Sequence, residues 1–211
     1  INKDQAFLIR GSGVDIHLFE SVPEPTGLPV VLLPSRMLRD KGVVEFVEAA
    51  NRVNNKSKIA RFALVGAPDP ENPSSIDSSV INKWVDAGWV EWWGYQRDMP
   101  EVYSQSQIVC LPSYREGLPK VLLEAAASCR AVITTDTIGC QDIVKNGVNG
   151  LLIPPRDATA LAVAITYLLT NPEESKRMGI NGRDMIKDRF TLEKTLADTI
   201  GLYRSIISQQ S

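Results

Sequence analysis

The feature that most constrains this chain is a repeated alternation of short apolar, β-rich runs with stretches of helical periodicity. Val30-Val31-Leu32-Leu33 is a continuous apolar run, the pattern of a strand covered on both faces. Beyond it, Val43, Phe46, Val47 and Ala50 fall at i, i+3, i+4 and i+7, which predicts one buried helical face. Further strand-like runs occupy 61–66, 90–93, 108–111, 131–135 and 150–153. Helices are expected at about 76–87, around 100–104 and from Pro119 onward. Leu161, Ala164, Ile165, Leu168 and Leu169 mark another helical face. Helical sequence then continues to Ile207, with breaks expected near Pro172 and Gly179. Strands and helices alternating through short connections predict an α/β fold: a parallel sheet of about six strands flanked by helices, with right-handed crossovers.

Composition narrows the class. A chain of 211 residues fits one domain. At that size about 70% of the unfolded surface can be buried, so no disulfide or metal staple is needed. The 44% apolar and 23% charged residues are an ordinary globular mixture. Lys plus Arg is 23 and Asp plus Glu is 25, and the resulting charge of −2 argues against a nucleic-acid-binding domain or a polybasic membrane surface. Three cysteines without a CxxC spacing point to a reducing, cytoplasmic setting rather than a disulfide framework or a zinc site. His17 is the only histidine, which excludes a His-based metal site or triad. No apolar run approaches the ~18 residues of a membrane span, and the chain opens at Ile1 without a signal-like segment. The absence of an initial Met reads as a piece of a longer protein.

Open parallel sheets bind ligands beyond the carboxyl ends of their strands. That directs attention to 34–42, 66–75, 94–98, 112–119 and 136–141. Residues 112–124 read Pro-Ser-Tyr-Arg-Glu-Gly-Leu-Pro-Lys-Val-Leu-Leu-Glu. Pro119 suits the first helical position, which puts the N–H groups of Gly117 and Leu118 at a helix tip able to hold an anion. The sheet-facing stripe of this helix is expected to be Leu122, Ala125, Ala126 and Cys129. Glu124 stands among small apolar residues, where a carboxylate is costly unless it finds donors, and a ligand's vicinal hydroxyls are such donors. The alternative is a solvated helix residue for Glu124 and an ordinary loop carboxylate for Glu116. In 35–42, Arg36 and Lys41-Gly42 place two cations before another helix, as a diphosphate needs; the alternative is a solvated basic loop. No GxGxxG, no P-loop and no Asp-x-Asp occurs.

Taken together these segments resemble a known family. Glu116 and Glu124, with seven residues between them, resemble the E-x7-E motif of retaining GT-B glycosyltransferases, family 4, the glycosyl transferases group 1. Ser35-Arg36 with Lys41-Gly42 resembles that family's GR…KG element. Gly13-Val14-Asp15 with Phe19 resembles its entry to the C-terminal domain, and the run from Gly139 to Leu152 resembles its following motif. The likeness covers about residues 11–205 with its motifs in order. Three departures stand out: Ser35 replaces the Gly before the Arg, Cys129 and Ala131 replace a Gly and a Pro, and Leu118 replaces a Phe.

The resemblance implies one Rossmann-like domain over 1–211, the C-terminal half of a GT-B fold, with C-terminal helices over about 157–207. It implies a nucleoside-diphosphate sugar as donor, a UDP-sugar first among them, with no cofactor and no metal. Arg36 and Lys41 would hold the diphosphate and Glu116 the donor sugar, the three catalytic positions. Glu124 would bind the ribose, Gly117 and Leu118 would lie at the sugar and phosphate, and Trp93 and Tyr95 near the base. For Trp93, core packing is the alternative. Acceptor recognition, of a glycan or a lipid-linked sugar, would belong to an absent N-terminal domain, so the fragment alone is expected to transfer no sugar. The setting implied is bacterial polysaccharide, O-antigen or glycan–lipid synthesis in the cytoplasm, peripheral to the inner membrane face. Two other readings stay open: a non-catalytic anion- or partner-binding module, and a different GT-B reaction, such as that of a nucleotide-sugar epimerase.

Overall fold

A computed structural model describes residue 11 and residues 13–208; the opening from Ile1 lies outside the described residues. Among the described residues there are six strands: β1 (Val30–Pro34), β2 (Arg61–Val65), β3 (Glu91–Gly94), β4 (Ile108–Leu111), β5 (Ala131–Thr135) and β6 (Leu151–Ile153). They form one sheet in the order β3-β2-β1-β4-β5-β6, with every neighbouring pair parallel. This is the Rossmann-like α/β arrangement that the alternating pattern predicts. β1, β4 and β5 are buried along their whole length, which is why β1 and β4 read as continuous apolar runs rather than alternating ones.

Among the described residues eight α-helices connect and flank the sheet: α1 (Val43–Val53), α2 (Ser78–Asp86), α3 (Met99–Ser104), α4 (Lys120–Ala127), α5 (Ile138–Gln141), α6 (Ala158–Thr170), α7 (Pro172–Arg189) and α8 (Leu192–Ser208). The expected faces are the buried ones. Val43, Phe46, Val47 and Ala50 of α1 share a core with Leu161, Ala164, Ile165 and Leu168 of α6. A second core joins Leu122, Leu123 and Ala125 of α4 with Tyr103, Ile186 and Phe190. Strand succession reverses between β1 and β4, so the loops after these two strands face each other across a crevice.

Three local expectations are corrected. The break near Gly179 is absent, because α7 runs through it from Pro172 to Arg189. A Cβ at Gly179 would come within 2.1 Å of the Cys129 carbonyl oxygen, so this glycine permits close packing rather than a helix end. Cys129 itself has φ +57°, in the left-handed region that favours glycine. Pro119 is the N-cap of α4, not its first residue, since its ψ of 112° is extended. The third concerns α4's single sheet-facing stripe. Leu122 through Ala127 are all buried, because α7 packs against α4 as well as the sheet does.

Two arginines, invisible to periodicity arguments, hold α4 in place. Arg130 is 1% exposed and donates to the Tyr103 carbonyl at 2.9 Å and that of Val22 at 3.1 Å. Arg183 donates to the carbonyls of Phe19, Ala127 and Ile16. The entry segment is also stitched to the junction of α7 and α8, where Val14 N–H meets the Phe190 carbonyl at 2.9 Å. No helix among the described residues is long and apolar enough to cross a membrane.

Candidate functional site

The site is built from the loops at the carboxyl edge of β1 to β4. After β1 the chain runs alongside the loop that follows β2: Ser35 N–H donates to Val65 and Met37 N–H to Ala67. Met37 and Leu38 are buried beneath, which leaves Arg36 pointing outward with a side chain 59% exposed. A 3-10 turn over Arg39–Lys41 leads into α1 through Gly42. Gly42 has φ +74°, and a Cβ there would lie 2.2 Å from the Pro112 carbonyl oxygen. Only glycine allows the start of α1 to sit this close to the end of β4.

That approach brings Lys41 to the β4–α4 loop, where its Nζ lies 2.7 Å from Glu116 Oε1. Both side chains are mostly buried, at 22% and 12% exposure. Glu116 is therefore not an ordinary loop carboxylate, and Lys41 is not a solvated loop cation. Downstream, Gly117 is exposed and Leu118 is half-buried. The N-terminus of α4 has no side-chain cap, so its first N–H groups face the loop unpaired by side chains.

Beside this pair opens a cleft of about 500 Å³. Its walls are Ser35 and Arg36 after β1, Gly66 to Pro70 after β2, Tyr95 to Arg97 after β3, and Val121 and Glu124 of α4. Arg36 Nη1 lies 2.7 Å from Asp69 Oδ2 in the mouth of the cleft. Glu124 forms part of its inner wall and is 9% exposed, which overturns the solvated-helix alternative. Its Oε2 accepts the Tyr103 hydroxyl at 3.1 Å, and Lys120 Nζ is 3.6 Å from Oε1. Burial pushes the Glu124 carboxyl above its ordinary range, and the Tyr103 and Lys120 contacts oppose that shift. Tyr103 is fully buried, and burial together with the Glu124 charge raises its own hydroxyl well above the usual value.

The structure thus brings the named side chains together in two groups. Lys41 with Glu116 forms an ion pair at the β1–β4 crevice; Arg36, Tyr95 and Glu124 line the adjoining cleft. Trp93 does not line that cleft. Its indole N–H donates to Glu91 at 3.0 Å, and the Arg61 guanidinium lies 6.0 Å over its ring. A strand residue alternates faces, and at Trp93 the sheet face leads into the core shared with α4. Tyr95, past the end of β3, is 71% exposed at the cleft. Tyr103 and Asp69 were not singled out by sequence reasoning. Tyr103 carried only the signal of a polar-tipped aromatic within a short helix, and Asp69 that of a Pro-flanked acid after β2.

Comparison with known proteins identifies a family and a fold. The family model described as glycosyl transferases group 1 matches residues 28–171. The chain is 36% identical over 153 residues to the N,N'-diacetylbacillosaminyl-diphospho-undecaprenol alpha-1,3-N-acetylgalactosaminyltransferase of Campylobacter jejuni, covering 72% of this chain and 38% of that protein. Among solved structures, sucrose-phosphate synthase from Thermosynechococcus elongatus superimposes with a TM-score of 0.81 at 27% identity, over 95% of this chain and 52% of the other. HepE from Anabaena, solved in complex with UDP, gives a TM-score of 0.80 at 20% identity, over 92% of this chain and 56% of the other, a likeness of fold. The chain therefore spans between about a third and just over half the length of these relatives.

Proposed function

The chain belongs to the group 1 glycosyltransferases, and from that membership we propose that it is the donor-binding half of an enzyme that moves a sugar from a nucleoside-diphosphate sugar to an acceptor, with retention at the anomeric carbon. The observation that carries the reading is a cleft with a cation at its mouth and a buried carboxylate in its wall, beside a second, ion-paired cation and carboxylate. In this reading Arg36 and Lys41 hold the diphosphate, Arg as a planar fork and Lys as a point charge. Glu124, with one carboxylate edge engaged by Tyr103, accepts the ribose hydroxyls. Glu116 meets the sugar, and Gly117 and Leu118 approach the sugar and phosphate through their backbone. Tyr95 and its loop face the base.

The chemistry follows from charge. As the glycosidic bond breaks, negative charge accumulates on the departing diphosphate. Preorganised cations and the uncapped start of α4 stabilise it there more than in the ground state. The counter-charge comes from the protein's own side chains, so the mechanism calls for no metal ion and no cofactor. UDP is the favoured nucleotide, supported by the UDP complex of a protein of the same fold. A lipid-linked sugar is the favoured acceptor, supported by the diphospho-undecaprenol in the name of the Campylobacter relative. Acceptor binding is assigned to a further domain, with the whole enzyme cytoplasmic and peripheral at the inner membrane face. The chain by itself then binds nucleotide but transfers no sugar.

Calorimetric titration with UDP and GDP tests this. The chain is expected to bind UDP at millimolar ligand or below, and the Arg36→Ala/Glu124→Ala double variant to bind at least about tenfold more weakly. No binding of either nucleotide, or equal binding by the double variant, overturns the reading. In an enzyme complete with its acceptor domain, Arg36→Ala is expected to lower kcat about 100- to 1000-fold.

A further inference from the structure

The loop that carries Glu116 is tied to α1 by a second contact whose residues have no part in the proposed reaction. Tyr114 donates its hydroxyl to Glu45 Oε1 at 2.6 Å, the length of a charge-assisted O–H···O bond. The Arg156 guanidinium stacks on the Tyr114 ring, 4.5 Å from its centroid. Arg156 has φ +60°, a conformation that costs a non-glycine residue energy and persists only where its surroundings hold it. Glu45 Oε2 is buried without a hydrogen-bond partner among the described residues, so the Tyr114 hydroxyl is the donor that satisfies this carboxylate. The first turn of α1 and the loops after β4 and β6 thereby converge on one phenol.

The placement of this contact gives it a role. Lys41, at the end of the 3-10 turn, and Glu45, in the first turn of α1, lie four positions apart across Gly42, and Tyr114 and Glu116 lie two residues apart in the β4–α4 loop. The Tyr114–Glu45 bond and the Lys41–Glu116 pair join the same two segments. On the far side the loop rests on Gly139, whose Cβ would come within 1.9 Å of the Gly117 carbonyl oxygen. When a sugar diphosphate draws Lys41 and Glu116 apart, the ion pair stops tying α1 to the loop. The Tyr114 backbone N–H and the Ser113 hydroxyl still donate to the Asp40 carbonyl, but they anchor only the upstream end. We propose that Tyr114, braced between Glu45 and Arg156, is the positioning residue that keeps Glu116 aimed at the donor sugar once the Lys41–Glu116 pair opens. This rests on the assignment of Glu116 to the sugar given above. Burial and the Glu45 charge raise the Tyr114 hydroxyl to about 12, so it remains a donor throughout the neutral range.

The test compares affinities for UDP and UDP-glucose in calorimetric titrations of the chain. The wild type is expected to prefer UDP-glucose, and Glu116→Gln to lose that preference. Tyr114→Phe, which keeps the ring on Arg156, is expected to reduce the preference about three- to tenfold and to leave UDP affinity within about twofold. Glu45→Ala should reproduce Tyr114→Phe, whereas Glu45→Gln, whose amide oxygen still accepts the hydroxyl, should restore the wild-type preference. Loss of preference in Glu116→Gln but not in Tyr114→Phe overturns the brace alone. A preference unchanged in Glu116→Gln, or absent from the wild type, overturns the sugar assignment beneath it and the brace with it. Equal loss of both ligands in Tyr114→Phe, with a lowered unfolding midpoint, marks a purely structural contact and also overturns it.

Discussion

Glu116 and Glu124 stand eight positions apart in sequence and in opposite kinds of environment. Glu116 sits on a loop, and its partner is a cation 2.7 Å away. Glu124 sits in the buried stretch of α4, and its nearest donor is a neutral phenol. An ion pair that reaches solvent can exchange partners cheaply, because water and the ligand replace what is lost. A carboxylate in a dry wall cannot; it waits with unmet acceptor capacity that an incoming hydroxyl can fill. The difference suggests a division of labour. In the proposed reaction the loop carboxylate would change partners, and the helix carboxylate would be a fixed docking point.

Removing each in turn breaks the comparison most directly. Glu124→Ala should weaken both UDP and UDP-glucose, by about 30- to 100-fold, because the ribose is common to both and hydrogen bonds to a charged group are worth about 1.5–3 kcal/mol. Glu116→Ala should leave UDP within about threefold and lower affinity only for the sugar nucleotide. Calorimetry on the two variants decides the matter. If both variants lose the same ligand to the same degree, the two carboxylates do not divide the donor between them.

A smaller effect follows from protonation. Burial raises the Glu124 carboxyl above its ordinary value of 4.5, so folding shifts this group toward its protonated form relative to the unfolded chain. Stability from this group is fully present below the unfolded value and is lost as pH rises through the raised folded value. Relative to wild type, Glu124→Gln should therefore gain stability as pH rises through that window, which thermal unfolding at a series of pH values would reveal. Binding runs the other way: affinity for UDP should rise as Glu124 ionises, and Glu124→Gln should flatten that part of the profile. A pH dependence of binding identical in the two proteins would remove Glu124 from the nucleotide site.

How much of this was legible in the sequence also divides along the two carboxylates. The strands were legible because parallel strands buried on both faces leave uninterrupted apolar runs, as in Val30–Leu33. Helix faces at α1 and α6 were legible through their 3.6-residue period. Glu124 could be noticed as a carboxylate out of place among apolar neighbours. Its donor could not, since Tyr103 is contributed by α3 through a contact 21 residues away in sequence. Likewise Lys41 and Glu116 were each visible, but their pairing depends on β1 and β4 being neighbours, which periodicity does not reveal. Gly179 misled for a related reason. A glycine that lets two backbones touch looks, in one dimension, like one that ends a helix.

Tyr103→Phe offers the finest probe of the contrast, because it changes one atom at Glu124 and none near Glu116. The variant keeps the ring, its edge contact with Phe19 at 5.9 Å and its place in the core. It removes the hydroxyl that donates to Glu124 Oε2, one of the contacts that lower this carboxyl's pKa against the effect of burial. With that donor gone, burial acts with less opposition and the carboxyl titrates at a still higher pH. The pH profile for UDP binding should therefore shift toward higher pH in Tyr103→Phe. Affinity well above the shifted midpoint should fall by less than about fivefold, since a neutral hydrogen bond contributes about 1 kcal/mol net. A midpoint that stays put would mean that Lys120, which is 3.6 Å away and largely exposed, sets the charge on Glu124. In that case the helix carboxylate would be governed by an exchangeable cation, much as Glu116 is, and the contrast between the two would fail.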